Sequence, residues 1–193
     1  FAAFPALGAA AQQPFPNKPL TLVVPFPAGG PADTFGRPLA QGMSQRLGQS
    51  VVVENKSGAA GVTGIDFVAK AATDPHVLGL MSASAGAIMQ SLMAKMPYDP
   101  VKDIAPITLA VRVQEALVVG AKLGIADFKD FMTRAKASPG KLTYGSAGTG
   151  GITHLATELL KREAGIDLLH VPYRGAAPAT NDLIAGTVDC ALL

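Results

Sequence analysis

Tryptophan is absent from this 193-residue sequence, cysteine occurs once, and aromatic residues make up only 6% of it. The lone Cys190 excludes an intrachain disulfide and a cysteine-based zinc site within this stretch, and it reads as a small core hydrophobe. Charge is sparse as well. The 16 Lys+Arg set against 14 Asp+Glu leave a net charge of +2, and the basic residues are scattered without aromatic interleaving, so a nucleic-acid footprint is missing. Beyond the N-terminus no apolar run approaches the ~18 residues needed to span a bilayer. No GK[ST] occurs, which excludes a P-loop, and His76, His154 and His170 lack the close acidic or cysteine partners of a metal site. Neither a metal nor a cofactor is expected.

What is present is apolar material, 49% of residues, enough to bury a substantial core. The first stretch, FAAFPALGAAA over 1–11, is small, apolar and uncharged, and its Ala9-Ala10-Ala11 precedes a polar Gln12-Gln13-Pro14. That pattern matches the end of a secretory hydrophobic region with an A-x-A cleavage site, with a loose N-terminal arm as the alternative. The remainder divides into an expected first lobe over 12–108 and a second over 109–193.

Strand and helix patterns alternate from there. Leu20 to Val24 is a short continuous apolar run, as in a strand buried on both faces, and Thr34 to Leu47 repeats Leu39, Met43 and Leu47 along one helical stripe. Pro38 predicts a kink or a late start near Arg37. Ser50 to Glu54 and Val77 to Met81 read as strands, separated by a helix over Thr63 to Ala71 and followed by one over Ala87 to Lys95. Ile107 to Val111 and Ala116 to Val119 read as strands crossing between lobes. Asp127 is placed to cap a helix reaching Ala137, Leu142 to Gly145 is a strand, and Ile152 to Ala164 carries Ile152, Leu155, Ala156, Leu159 and Leu160 at helical spacing. A strand at His170 to Tyr173, a helix over Pro178 to Ala185 and a strand at Val188 to Leu192 complete the series. Strands separated by helices argue an α/β fold with parallel sheets, in which ligands sit beyond the carboxyl ends of the strands.

Three polar, glycine-rich turns lie at such ends. PFPAGGPAD, Pro25 to Asp33, places backbone N–H groups and a helix N-terminus around one space, a candidate anion cradle. YGSAGTGG, Tyr144 to Gly151, is expected to face it across a cleft, and Ser82 with Ser84 supplies hydroxyls on a third turn. Two roles fit Asp33: a helix-start residue favoured by the dipole, or a carboxylate that repels acidic groups and so selects among ligands. His154, in the first turn of its helix, fits either a ligand contact or a packing role. His170, heading an apolar strand, reads as structural. The enzymatic signatures miss by spelling. GxSxG needs a glycine where Tyr144 stands, and Gly148 to Thr153 has threonine where GxGxxG needs its last glycine, with no acidic residue about twenty positions on. A serine-dependent hydrolase or transferase using Ser146 and His154 is the remaining enzymatic alternative.

Several separated motifs, in one order, carry a resemblance: KPLTLVVPFPAGGPAD (Lys18 to Asp33), RLGQSVVVENKSGAAG (Arg46 to Gly61), MPYDPVKDIAPIT (Met96 to Thr108), SPGKLTYGSAGTGG (Ser138 to Gly151) and HVPYRGAAPATNDLIAGTVD (His170 to Asp189). From Pro16 to Leu193 the chain resembles the Bug (Bordetella uptake gene) substrate-binding proteins of tripartite tricarboxylate transporters. The resemblance implies a two-lobed Venus-flytrap protein of the Gram-negative periplasm, not an enzyme. Such a protein closes on a small carboxylate (a di- or tricarboxylate, an acidic amino acid or an aromatic acid) and delivers it to membrane permease subunits. A ligand sensor with the same fold is a further reading. Carried over position by position, the expected site is Ala28, Gly29, Gly30 and Asp33 with Ser82 and Ser84 from the first lobe, and Ser146, Gly148, Thr149 and Gly150 from the second, with His154 beside them. Arg112 and Arg174 are not required as anion clamps. Family members are longer, so the expectation is a truncated chain with an incomplete second lobe that is a monomer when full length.

Overall fold

A computed structural model describes residues 14–193, so the expected secretory remnant lies outside the described residues. The chain folds around two sheets. The first has the order β2-β1-β3, all parallel, from β1 (Leu20–Val24), β2 (Val51–Asn55) and β3 (Val77–Gly79). Central β1 is the apolar run LTLVV, with Leu22, Val23 and Val24 buried between neighbours on both sides. The second sheet has the order β4-β7-β5-β6, from β4 (Leu117–Val119), β5 (Thr143–Ser146), β6 (Leu169–Pro172) and β7 (Cys190–Leu192). Its β5 pairs in parallel with β6 and β7, while β4 runs antiparallel along the edge.

Helices α1 (Pro31–Leu47), α2 (Val62–Lys70), α3 (Met89–Leu92), α4 (Phe128–Ala137), α5 (Ile152–Ala164) and α6 (Ala176–Ala185) connect these strands. Asp127 caps α4 as expected, its side chain accepting the Asp130 N–H at 2.8 Å. Helix α5 has the predicted bounds. One core joins α2 to Met89 and Tyr98 in the first unit, and another joins Phe131, Tyr144, Leu168 and Cys190 in the second. The thiol of Cys190 is buried, which raises its pKa to about 12 and fits the core role read from the sequence.

Three expectations change. Helix α1 starts at Pro31, not near Arg37, because proline at the first helical position surrenders no hydrogen bond; the helix then runs unbroken past the exposed Pro38. The segment expected as a helix over Ala87 to Lys95 is a π-helical turn, Ser84–Ile88, followed by only four α-helical residues. Ile107 to Val111 is not a strand. It joins no ladder among the described residues, and Ile107 and Leu109 are 80% and 68% exposed.

Candidate functional site

A cavity of about 270 Å³ opens between the two sheets, and the carboxyl ends of β1, β2, β5 and β6 supply its walls. Phe26 follows β1, Gly58 to Gly61 follow β2, Ala147, Gly148 and Thr149 follow β5, and Pro172, Tyr173 and Arg174 close β6. A larger hollow, of about 1710 Å³, carries apolar side chains such as Leu22, Ile65, Val68 and Leu109 on one side, and on the other Gly30, Ser82, Ser84, Ala147 and the first residues of α1, α5 and α6.

The walls of the smaller cavity are mostly backbone. The Ala59 and Ala60 φ angles are +46° and +53°, in the left-handed region that alanine enters at a cost of about 1 kcal/mol or more. Four consecutive positive-φ residues, Gly58 to Gly61, turn the chain sharply into α2. Gly148, with φ of +145°, faces this turn: a Cβ there would lie 3.5 Å from the Ala60 backbone. The helices α2, α5 and α6 all begin within three residues of the lining, so their N-terminal dipoles add positive potential. Arg174 brings the one charged side chain of the lining, and no carboxylate among the described residues pairs with it. The Tyr173 hydroxyl donates to Asp182 at 2.6 Å, and burial with that bond raises its pKa to about 12, so its ring forms a wall and its hydroxyl is engaged elsewhere.

The two units touch beside the cavity. The Ile152 N–H, first in α5, donates to the buried Ser84 Oγ at 3.0 Å, a bond spanning 68 residues of sequence. Gly150 packs on Met89 and Leu92, Gly30 lies beside Ala177, and a Cβ on Gly175 would collide with the Pro27 ring. The left-handed φ of +142° at Gly175 and that close approach both demand glycine.

Of the residues expected at the site, Gly148 and Thr149 line the smaller cavity, and Gly30, Ser82 and Ser84 line the larger hollow. Thr149 has its N–H and hydroxyl free among the described residues, whereas most N–H groups around it are taken. Ala147 donates to Thr153 Oγ1 at 3.0 Å, Gly148 weakly to Ser146 Oγ at 3.4 Å, and Gly150 to His154 Nδ1 at 3.1 Å. Ser146 is fully buried and meets His170 Nε2 at 2.7 Å. The Ser146–His154 pair of the hydrolase alternative is therefore not formed. Ser84 is committed to Ile152, and Ser82 accepts from the Ala85 N–H at 3.3 Å beside Gly61.

Asp33 faces its own loop. Its carboxylate accepts from Arg37 Nε at 2.8 Å, the Gly29 N–H at 3.0 Å and the Asn55 amide at 2.9 Å. The Arg37 guanidinium above all, assisted by Gly29 and Asn55 and opposed by burial, holds its pKa down at about 2. Those bonds shape PFPAGG from within; Ala28 and Gly29 line neither cavity, while Gly30 lines the larger hollow. PFPAGG and YGSAGTGG meet at the larger hollow, through Gly30 on one side and Ala147 and Gly151 on the other. At the smaller cavity PFPAGG contributes Phe26, and there the Gly58 to Gly61 turn faces Gly148. Sequence reasoning missed that turn and dismissed Arg174. The cluster GAAG at the end of a strand was the available signal for the first; for the arginine there was none, since its neighbours come from distant segments.

Comparison with known proteins adds a family model described as "Tripartite tricarboxylate transporter family receptor", matching residues 35–193. The chain is 42% identical over 175 residues to the UPF0065 protein in the tcbD-tcbE intergenic region of Pseudomonas sp. (strain P51), covering 91% of this chain and 52% of that protein. It is 38% identical over 175 residues to protein BugT of Bordetella pertussis, covering 90% and 54%. An R. palustris protein solved with adipate superposes with a TM-score of 0.90 at 34% identity, covering 93% of this chain and 60% of that one. MatC from Rhodopseudomonas palustris with bound malate gives 0.84 at 32%, covering 92% and 60%. The chain spans about half the length of the curated relatives it matches.

Proposed function

The chain belongs to the tripartite tricarboxylate transporter receptor family, and from that premise we propose that it captures a small carboxylate in the periplasm and hands it to a membrane permease. Membership is in a family of receptors, not of enzymes. The observation that carries the reading is the cavity between the two sheets. Its lining contains no acidic side chain, one unpaired guanidinium, and a wall of backbone at which helix N-termini converge. A carboxylate seated there would take the free Thr149 N–H and hydroxyl at one end and Arg174 at the other, with Phe26, Pro172 and Tyr173 enclosing its carbon skeleton. Charge-assisted bonds contribute about 1.5 to 3 kcal/mol each, so a few of them reach the ~8 kcal/mol of micromolar binding after the cost of association.

The malate and adipate bound by the two R. palustris proteins motivate the same ligand class here. Among the described residues no helix is long and apolar enough to cross a membrane, and delivery to a permease is argued from the family alone.

Isothermal titration calorimetry with malate, adipate, glutamate and benzoate tests the proposal. Micromolar binding of at least one of them, lost on Thr149→Pro, is expected. Failure of all four to bind, or binding indifferent to that substitution, would refute the assignment of the cavity.

A further inference from the structure

The loop Ala147–Gly151 rests on two histidines that stand behind the cavity wall. The rings of His154, on α5, and His170, on β6, stack at 4.1 Å with an interplanar angle of 22°, and Tyr144 of β5 stacks on His170 at 4.8 Å. Each ring holds one end of the loop. His170 Nε2 meets Ser146 Oγ at 2.7 Å, where the loop leaves β5, and His154 Nδ1 lies 3.1 Å from the Gly150 nitrogen, where it enters α5. Backbone N–H is always a donor, so His154 Nδ1 must be the acceptor and its proton sits on Nε2.

We propose that His154 is a positioning residue that makes ligand affinity depend on pH: unprotonated at Nδ1 it pins Gly150 and holds Thr149 toward the cavity, and protonated there it lets go. The proposal rests on the carboxylate-binding reading above. An imidazolium presents N–H at both nitrogens, so at Nδ1 two donors would confront each other, and either the ring or Gly150 must move. Ser146 is different in kind, because its hydroxyl can donate or accept and tolerates either state of His170.

The groups around the pair decide which ring charges first. Burial first, then the neighbouring His154 and least of all Lys161, hold the pKa of His170 below the usual imidazole value, with Glu158 opposing them. Two imidazolium rings stacked at 4.1 Å repel, so the two do not charge together. Glu158, one turn along α5, is the group that favours a charged His154. Its carboxylate already accepts from the Tyr144 hydroxyl at 2.6 Å and Lys161 Nζ at 2.9 Å on the same oxygen. Lys161 opposes a second cation. A charge on His154 would by itself strengthen anion binding, so the sign of the pH effect separates loss of the loop from simple electrostatics.

The test compares malate affinity of the wild type and His154→Asn, whose Oδ1 occupies the place of Nδ1, can accept the Gly150 N–H and does not titrate, at about pH 7.5 and about pH 5.5, across the range in which imidazoles charge. Malate's own protonation is common to both proteins and cancels in the ratio. The expected result is a wild-type Kd that rises about tenfold more than that of the variant on acidification, the effect of leaving one N–H without an acceptor. Equal pH dependence in the two proteins, or a wild-type affinity that rises in acid relative to the variant, overturns the proposal. A ligand-free measurement stands independently. The Gly150 amide resonance should titrate with the same midpoint as the His154 ring, and an amide shift flat across that range overturns the coupling. If malate fails to bind at either pH while the amide follows the ring, the carboxylate reading has failed and the coupling stands.

Discussion

Ser84→Ala removes the acceptor of the bond that ties the first unit to the start of α5. Ser84 is 3% exposed, and its Oγ takes the Ile152 N–H at 3.0 Å. When the two units are together, alanine leaves that N–H facing a methyl group in a site closed off by Gly151 and Ala60. When they are apart, water satisfies it. The cost therefore falls on the closed state. A net hydrogen bond is worth ~1 kcal/mol, and an N–H left buried without a partner raises the loss to about 2 kcal/mol. Converted through the binding equilibrium, the variant should hold its carboxylate about five- to thirtyfold more weakly, with the change mainly in the dissociation rate. Calorimetry gives the affinity, stopped-flow displacement gives the rate, and thermal melting of the unliganded protein reports on the fold. An unchanged Kd would refute the reasoning, and so would a weaker Kd fully matched by a lower stability of the unliganded protein, since the bond would then belong to the fold and not to closure.

Arg174→Gln should weaken adipate binding about tenfold while leaving benzoate within about threefold, because the second carboxylate of the dianion would lose its charged partner; calorimetry reads both, and equal losses would remove Arg174 from recognition. Asp33→Asn should cost about 1–2 kcal/mol of stability in urea, a figure held down because Arg37, its principal partner, is 55% exposed. The folded pKa of Asp33, about 2, lies below its ordinary 3.8. Its contribution is thus present above the ordinary value and lost as the pH falls from about 4 to about 2. Urea melts at several pH values should show this acid loss in the wild type and not at position 33 of the variant. Carboxylate affinity near neutrality should change little, since Asp33 shapes the loop without facing the cavity.

Most of the fold was legible along the chain. Helix α5 repeats its apolar residues at i, i+3 and i+4, β1 is continuously apolar, and glycines punctuate the helix ends, all of them local signals. The misses share one cause. The strand expected at Ile107 to Val111 has the residues for a strand yet joins no ladder among the described residues, and pairing is a tertiary event. The length of the helix after Ser84 was decided by packing: the π-helical turn sets the Ser84 hydroxyl against the second unit. His170 was read as structural, and it is, but the ring it stacks on and the serine it binds lie 16 and 24 residues away.

The sequence by itself determined the alternation of strands and helices, the glycine turns at the strand ends, and the family those motifs carry. Tertiary structure alone decided which turns meet. Asp33 draws PFPAGG inward through Gly29, Arg37 and Asn55, Gly58 to Gly61 lies opposite Gly148, and Arg174 reaches the smaller cavity with no carboxylate partner among the described residues. The physical reason is range. A helical stripe or a proline cap is written within a few residues, whereas a bond such as Ile152 to Ser84 exists only after two sheets have packed and fixed their separation.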